Sequence, residues 1–166
     1  MKSESNRKRA EQKTIFVVVG NGKFDPLIKK IDQLKEKGKI KEKVIAQIGH
    51  GTYLPKYCQW FKFETPLDKY YQEADLIISH GGPGAVFEIL MMDKKLIAVP
   101  NRDRTDPRHQ VEFLQAIEKE TSALIYCDKI ELLESCLEKA KTYKFVKYNQ
   151  PVCNIHKVIN EFLNKI

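Results

Sequence analysis

An uninterrupted apolar run at residues 14–19 constrains the fold of this chain more than any other feature of its sequence. The run reads Thr-Ile-Phe-Val-Val-Val, without the polar alternation of a strand that has one face in water. It predicts a strand buried on both faces, which occurs mainly in parallel sheets covered by helices on each side. Gly20-Asn21-Gly22 closes the run, and Asp25-Pro26 then opens a helical pattern that ends at Gly38.

The same alternation of strand and helix continues to about residue 140. Strands are predicted at 44–48, 59–63, 75–79, 96–99 and 123–126, and helices at 65–73, 83–92, 106–119 and 128–140. One connection, at residues 49–58, is short for a crossover helix. The pattern predicts an α/β, Rossmann-like three-layer domain with a parallel sheet, whose ligands lie past the carboxyl ends of the strands.

Three segments are expected along the chain. Residues 1–13 are predicted to form a disordered basic tail that touches anionic lipid, residues 14–150 the Rossmann-like domain, and residues 151–166 a C-terminal amphipathic helix. The apolar side of that helix either docks on a partner or packs back on its own domain, and the sequence leaves both open. The apolar residues on that side are Val152, Ile155, Val158, Ile159, Phe162 and Leu163.

The net charge and the hydropathy limit which partners and which cellular location are expected. The formal net charge of +7 suits an anionic partner such as nucleic acid, phospholipid head groups or a lipid pyrophosphate, unless it reflects only a lysine-rich surface. Because no basic stripe is interleaved with aromatic residues, nucleic acid is not expected. No apolar run approaches the roughly 18 residues of a membrane span, and a signal peptide is lacking, so a cytoplasmic location is expected.

The strongest local signal for chemistry is the stretch Ser79-His80-Gly81-Gly82-Pro83-Gly84-Ala85 between a buried strand and a helix. Glycines let a phosphate approach the backbone, and the helix start offers unpaired N–H groups and a positive dipole end. Glu88 lies one turn inside the helix, where a carboxylate can accept hydrogen bonds from a ribose diol. The alternative interpretation is a tight strand-to-helix turn whose glycines serve packing.

Other nucleotide motifs are absent from the sequence. Gly20-Asn21-Gly22 lacks the third glycine of a dinucleotide fingerprint, and no Gly-Lys-Ser/Thr occurs, so NAD and ATP are disfavoured. Among the histidines, His80 is either a buried structural residue or a ligand, and His50 is equally open. His109, at a helix start on a loop that faces the predicted cleft, is favoured as functional.

Several segments, in order, resemble the C-terminal, donor-binding domain of family 28 glycosyltransferases. They are residues 19–28, 47–51 and 74–84, Glu88, Val99-Pro100 and His109-Gln110. The resemblance covers about residues 14–140, and by size it is closest to stand-alone forms of that domain. One such form is the catalytic subunit of the two-part N-acetylglucosamine transferase of dolichol-linked glycan synthesis, and another is the small subunit of bacterial exopolysaccharide and capsule transferases.

The resemblance implies a role for each matching position. The loops after the first strand and at residues 81–84 hold the diphosphate of a UDP-sugar, Glu88 the ribose, and the strand end at Phe63 and Glu64 the uracil. His109 and Gln110 face the donor sugar and are the candidate catalytic residues. Donor contacts are implied for Gly20, Asn21, Gly22, Gly49, His50, Phe63, Ser79, His80, Gly81, Gly82, Gly84, Ala85, Glu88 and Gln110.

Two of these positions depart from the family pattern, because Asn21 and Ala85 stand where hydroxyl residues are common. Asparagine and backbone N–H groups still donate to phosphate, so binding is expected to survive.

The resemblance also implies half of a GT-B glycosyltransferase, with the donor on this chain and the acceptor on another Rossmann-like domain. A membrane-anchored subunit is expected to bind a lipid-linked saccharide acceptor, to supply the general base and to bring this chain to the membrane. No metal is expected, since backbone N–H groups and a helix dipole can stabilise the departing UDP. Two alternatives stay open: a self-sufficient UDP-sugar enzyme such as an epimerase or hydrolase, and a non-catalytic nucleotide-binding or regulatory module.

Overall fold

The structure, a computed structural model, describes residues 12–103 and 107–165, with only the backbone described at position 107. Within them, the strands are β1 (Thr14–Val18), β2 (Lys43–Gln47), β3 (Gln59–Phe61), β4 (Leu76–His80), β5 (Leu96–Val99) and β6 (Ile125–Tyr126). The α-helices are α1 (Asp25–Glu36), α2 (Asp68–Glu73), α3 (Pro83–Met91), α4 (Pro107–Thr121), α5 (Leu133–Thr142) and α6 (Ile155–Leu163), and a 3₁₀ turn covers Ile130–Leu132.

The described strands form one six-stranded parallel sheet in the order β3-β2-β1-β4-β5-β6. The chain runs outward from β1 to β3 and then returns to place β4 on the other side of β1. Val18 at the end of β1 therefore pairs with Gln47 on one side and Ser79 on the other. This reversal of strand order is the topological switch point, where open α/β sheets bind ligands, and the predicted Rossmann-like fold is confirmed.

The first strand is buried on both faces, as its unbroken apolar sequence predicts. Ile15 and Val17 belong to the core cluster beneath α1, whereas Phe16 and Val18 belong to the cluster with α2 and α3. Phe16 contacts the rings of Tyr70 and Tyr71, with centroids 5.2 Å and 5.5 Å away. Full burial of each such side chain contributes roughly 1.5–3 kcal/mol, so β1 is the centre of the core and a rigid base for the loop that follows it.

Some element bounds differ from the sequence prediction by one to two residues. The strand predicted at 59–63 ends at Phe61, which leaves Phe63 in the following loop, and the strand predicted at 123–126 is only Ile125–Tyr126. In the second case the preceding helix explains the difference, because the backbone N–H of Ala123 donates to the hydroxyl of Thr121 at 3.1 Å. That N–H is therefore bound to the end of the helix and not to a neighbouring strand.

The connection between β2 and β3 contains no helix, and a carboxylate on α1 holds it instead. Asp32 is 2% exposed. It accepts hydrogen bonds from the Tyr53 hydroxyl at 2.8 Å and from the backbone N–H groups of Lys56 at 2.9 Å and Tyr57 at 2.7 Å. Burial acts to raise the pKa of this carboxyl, but these bonds and one from the Cys58 thiol outweigh it and lower the pKa.

The described residues can be compared with the tail predicted at the N-terminus and the helix predicted at the C-terminus. Of the predicted tail, residues 1–11 lie outside the described residues, and the carbonyl of Lys13 accepts a hydrogen bond from the Lys43 N–H at 2.9 Å. The predicted C-terminal helix is α6, and the apolar side chains of this segment are largely exposed, from 50% at Ile159 to 82% at Val152, which precedes the helix. Within the described ranges, no helix has the length and apolar character that crossing a bilayer needs.

Candidate functional site

A cavity of about 550 Å³ opens at the carboxyl ends of β1, β4 and β5, at the switch point. Its lining comes from three places in the sequence: Val19 and residues 21–26 after β1, His80 at the end of β4, and Asn101 with Asp103 after β5. Of the residues predicted to bind a donor, Asn21, Gly22 and His80 lie in this lining. The other predicted positions surround it or lie further out along the same edge of the sheet.

The loop after β1 is held by the side chain of Gln47, which is 3% exposed at the end of β2. Its Oε1 accepts hydrogen bonds from the N–H groups of Val19 at 3.1 Å and Gly20 at 3.0 Å, and its Nε2 donates to the Gly20 carbonyl at 2.8 Å. Gly20 has a φ of +66°, a conformation that glycine adopts without steric cost. The amide of Gln47 therefore fixes an unusual backbone turn at the rim of the cavity.

The loop after β2 packs directly against that turn. The N–H of His50 donates to the Gly22 carbonyl at 2.9 Å. A Cβ added at Gly49 would lie 2.3 Å from the same carbonyl oxygen, so only glycine permits this approach. The two loops behave as one unit, although Gly49 and His50 themselves do not line the cavity.

His80 lies between the two glycine loops. A Cβ added at Gly20 would be 3.0 Å from Cε1 of the His80 ring, and one added at Gly82 would be 2.4 Å from its Nε2. A side chain at Gly82 would thus overlap the ring, and one at Gly20 would be in tight contact with it, so the structure combines the two interpretations left open for this histidine. The residue packs as a structural spacer and also lines the cavity.

The hydroxyl of Ser79 is bonded within the protein. The residue is 0% exposed, and its Oγ donates to the His80 carbonyl at 2.8 Å. A buried hydroxyl needs a partner within the protein, so the side chain supports the strand end, and the implied donor contact of Ser79 stays a prediction.

His109 and Gln110 occupy the first turn of α4 but face different surroundings. His109 is exposed, whereas Gln110 is 5% exposed and its Oε1 accepts a hydrogen bond from the Asn101 N–H at 2.9 Å. A Cβ added at Gly81 would lie 3.0 Å from that same Oε1. Gln110 therefore connects the loop after β5 to the glycine loop after β4, a structural role that its position in the sequence does not reveal.

The glycine loop leads into α3, with Gly81 and Gly82 buried and Gly84 exposed. Gly82 is the residue before the helix, and Gly84 in the first turn is exposed, with open space where a Cβ would lie. The adjacent Ala85 is half-buried. The first N–H groups of a helix have no carbonyl one turn back to bind, so this end of α3 can donate to an anion.

Glu88 is exposed on the next turn of α3 and interacts with a buried tyrosine from α2. The Tyr71 ring is 2% exposed. Burial, together with the negative charges of Glu88 and Asp68, raises the pKa of Tyr71. The Glu88 carboxylate thus lies near a neutral phenol that is anchored in the core.

Phe63 and His50 form a separate pair beyond the cavity lining. Their rings meet edge to face with centroids 4.8 Å apart, and Phe63 is 49% exposed. The neighbouring Glu64 bonds to Lys69 and to the Tyr70 hydroxyl, and these bonds lower the pKa of its carboxyl. The pair presents an aromatic surface beside the strand end for which the resemblance implies a contact with the base.

Four residues of this region were not singled out from the sequence: Gln47, Asn101, Lys23 and Asp103. Asn101 is 7% exposed, and its Nδ2 donates to the Lys23 carbonyl at 2.9 Å, which joins the loops after β5 and β1. A sequence pattern could have identified Gln47, because a polar residue inside an apolar strand pattern needs a buried partner. No sequence pattern indicates Asn101 or Asp103. No cluster of three or more metal-binding side chains occurs among the described residues.

These features define the class of protein. A parallel sheet in this order, with glycine loops and a cavity at the switch point, is a Rossmann-like domain of the kind that binds nucleotides. Residues 14–160 match the glycosyltransferase family 28 C-terminal domain, and the chain belongs to that family.

Similar structures agree with the fold. The chain superposes on the NMR solution structure of ALG13 with a TM-score of 0.59 and 18% identity, over 90% of this chain and 95% of that one. It superposes on the crystal structure of Acinetobacter baumannii MurG with a TM-score of 0.60 and 20% identity, over 96% of this chain and 52% of that one.

The two similar sequences described next share one protein name. The human UDP-N-acetylglucosamine transferase subunit ALG13 is 33% identical over 126 residues, which cover 69% of this chain and 11% of that protein. The Candida albicans protein of the same name is 35% identical over 69 residues, 42% of this chain and 23% of that protein. This chain therefore matches only a small part of the human relative.

Proposed function

We propose that this chain binds a UDP-sugar and acts as the donor-binding catalytic subunit of a two-component glycosyltransferase, with UDP-N-acetylglucosamine as the donor. The observation that carries the proposal is the meeting of two glycine loops on one histidine, beside a cavity at the switch point. Membership of glycosyltransferase family 28 supports the reaction class. The choice of sugar rests on the name that the similar sequences share.

In this proposal, different loops bind different groups of the donor. The diphosphate lies between Gly20-Asn21-Gly22 and the start of α3, where backbone N–H groups donate to its oxygens. Glu88 accepts hydrogen bonds from the ribose hydroxyls, and the base lies near the aromatic pair of Phe63 and His50. A cavity of about 550 Å³ has room for a diphosphate and part of the sugar.

The reaction transfers the sugar to an acceptor hydroxyl. A bond forms between the acceptor oxygen and the anomeric carbon, the bond from that carbon to the β-phosphate oxygen breaks, and a general base takes the hydroxyl proton. The start of α3 stabilises the charge of the departing UDP, so the reaction proceeds without a metal ion. We assign the general base to the partner, and His109, exposed beside the cavity, to the donor sugar.

The partner in this proposal is a membrane-anchored subunit that binds a lipid-linked saccharide. The apolar side of α6 supports a partner, because an exposed apolar helix face is costly in water and fits the groove of another protein. In this arrangement the chain is cytoplasmic and reaches the membrane through its partner.

Calorimetry on the chain alone, with UDP, UMP, ADP and NAD as titrants, tests the donor assignment. We expect UDP to bind most tightly, and an affinity for ADP equal to that for UDP would overturn the proposal. Transfer from UDP-N-acetylglucosamine to a lipid-linked acceptor is then measured with and without the candidate partner. Turnover of the donor without any partner would identify a self-sufficient enzyme instead.

A further inference from the structure

The cavity lining contains one permanently charged cation, Lys23, in the loop between β1 and α1. Of the other lining residues that the structure describes, Asp25 and Asp103 are acidic, and none is a second lysine or an arginine. Without Lys23, the described lining would offer a diphosphate two carboxylates and no fixed positive charge. Lys23 therefore supplies the fixed positive side-chain charge of the described lining, in addition to the backbone N–H groups of the loops and of α3.

The two carboxylates differ in the hydrogen bonds that they accept from the protein. Asp25 accepts hydrogen bonds from the Thr52 N–H at 3.0 Å and from the Thr52 hydroxyl at 2.8 Å. Burial acts to raise its pKa, but these bonds, with a smaller contribution from the Lys23 charge, lower it. Asp25 is thus held to the loop after β2, whereas Asp103 is exposed at the cavity rim.

Lys23 has a fixed backbone and an uncommitted ammonium group. Its carbonyl accepts the Asn101 side-chain hydrogen bond, and the carbonyl of the preceding Gly22 accepts the His50 N–H. Its Nζ makes no hydrogen bond or ion pair with any residue in the described ranges. A lysine that is exposed, lines a cavity and has no ion pair of its own is free to bind an anionic group of a ligand.

We infer that Lys23 is a further donor-binding residue whose ammonium group contacts the diphosphate. This inference rests on the proposed function and adds a cation to a diphosphate site otherwise formed by backbone N–H groups. A charge-assisted hydrogen bond from an ammonium to a phosphate oxygen is about twice as strong as a neutral one. The contact also opposes the repulsion between the diphosphate and the carboxylates of the lining.

Binding of UDP, UMP and uridine to substituted chains tests the inference by calorimetry. Lys23→Met keeps the aliphatic stem and removes the charge, and we expect UDP affinity to fall about tenfold, UMP affinity less, and uridine affinity not at all. Lys29→Met is the matched control, because it removes the same charge from an exposed position on α1 outside the lining. Lys23→Arg, which keeps the charge, is expected to retain most of the UDP affinity.

A substitution of opposite sign completes the test. Asp103→Asn removes a negative charge from the lining, and we expect UDP affinity to rise about threefold, with uridine affinity unchanged. Titrations with UDP-glucuronate and UDP-N-acetylglucosamine distinguish the diphosphate from a sugar carboxylate as the partner of Lys23. An additional loss for the glucuronate alone, with UDP binding unaffected in Lys23→Met, would overturn the diphosphate contact.

The inference and the proposed function fail in different ways. If the unsubstituted chain does not prefer UDP over ADP, the proposed function fails. If it prefers UDP but Lys23→Met and Lys29→Met bind UDP equally well, only the assignment of Lys23 fails. An equal loss for uridine and UDP in Lys23→Met would indicate a distorted loop and would also overturn the diphosphate contact.

Discussion

The side-chain amide of Gln47 makes two hydrogen bonds to the backbone of Gly20. Its Oε1 accepts from the Gly20 N–H at 3.0 Å, and its Nε2 donates to the Gly20 carbonyl at 2.8 Å. One side chain thus satisfies both backbone polar groups of a single residue in the turn after β1. The residue comes from the adjacent strand, 27 positions further along the chain. Through this contact, the shape of the loop after β1 depends on the identity of a side chain in β2.

We predict that Gln47→Glu destabilises the protein by about 2 kcal/mol, because a carboxylate cannot donate and would face the Gly20 and Lys62 carbonyls. Urea unfolding measures the change. Gln33→Glu is the control, since it makes the same replacement at an exposed position of α1. Equal stability of the two variants would show that the amide does not hold the loop.

Gly82→Ala is expected to destabilise the chain by about 1–3 kcal/mol, because the new Cβ would lie 2.4 Å from Nε2 of His80. Gly84→Ala meets open space, and its better helix propensity should leave stability unchanged or raise it. Thermal unfolding compares the two. We expect Gly84→Ala to weaken UDP binding nonetheless, and unaltered UDP affinity would argue against a phosphate at the start of α3.

Asp32→Asn is predicted to cost about 2 kcal/mol at neutral pH, because the amide cannot accept every hydrogen bond that the carboxylate accepts. The lowered pKa of this carboxyl also stabilises the fold above the ordinary aspartate pKa, and that contribution is lost as pH falls through the folded-state pKa. The unfolding free energy of Asp32→Asn should therefore decrease less between pH 4 and pH 2, a range set by the ordinary aspartate pKa of about 3.9. Asp93→Asn, at an exposed turn, serves as the control, and parallel pH profiles for both would contradict the assignment.

Tyr71→Phe removes the hydroxyl that lies near Glu88 and keeps the ring in the core. If Glu88 binds the ribose, we expect the preference for UDP over 2′-deoxy-UDP to fall about threefold in Tyr71→Phe and further in Glu88→Gln. Calorimetry with UDP and 2′-deoxy-UDP measures this preference for each variant. Tyr126→Phe, whose hydroxyl donates to Asp128, is the control, and an unaltered preference in Tyr71→Phe would separate this tyrosine from the ribose.

The double substitution Val158→Ser and Phe162→Ser should leave the stability of the isolated chain nearly unchanged, because both side chains are largely exposed, 58% and 64%. If α6 docks on a partner, co-purification with the acceptor-binding subunit should be lost. A fall in stability without loss of the complex would show instead that α6 packs on its own domain.

Local signals in the sequence were sufficient for the sheet and for the glycine turns. The apolar run of β1, the helix start at Asp25-Pro26 and the glycines at 81–84 each depend on neighbouring residues, and local patterns report such elements well. The brace from Asn101 to Lys23 joins residues 78 positions apart, and no local pattern encodes it. The burial of Ser79 is likewise set by the strands that pair on both sides of it, which no local pattern encodes.

The position of the His80 ring between Gly20 and Gly82 has a consequence for how this site can vary. A side chain at Gly82 would overlap the imidazole, one at Gly20 would be in tight contact with it, and a smaller residue in place of His80 would leave a void between the loops. The side chains allowed at 80 and 82 therefore depend on each other. We expect related chains to keep glycine at 20, where φ is +66°, and to carry a wider side chain at 82 only where the residue at 80 is small.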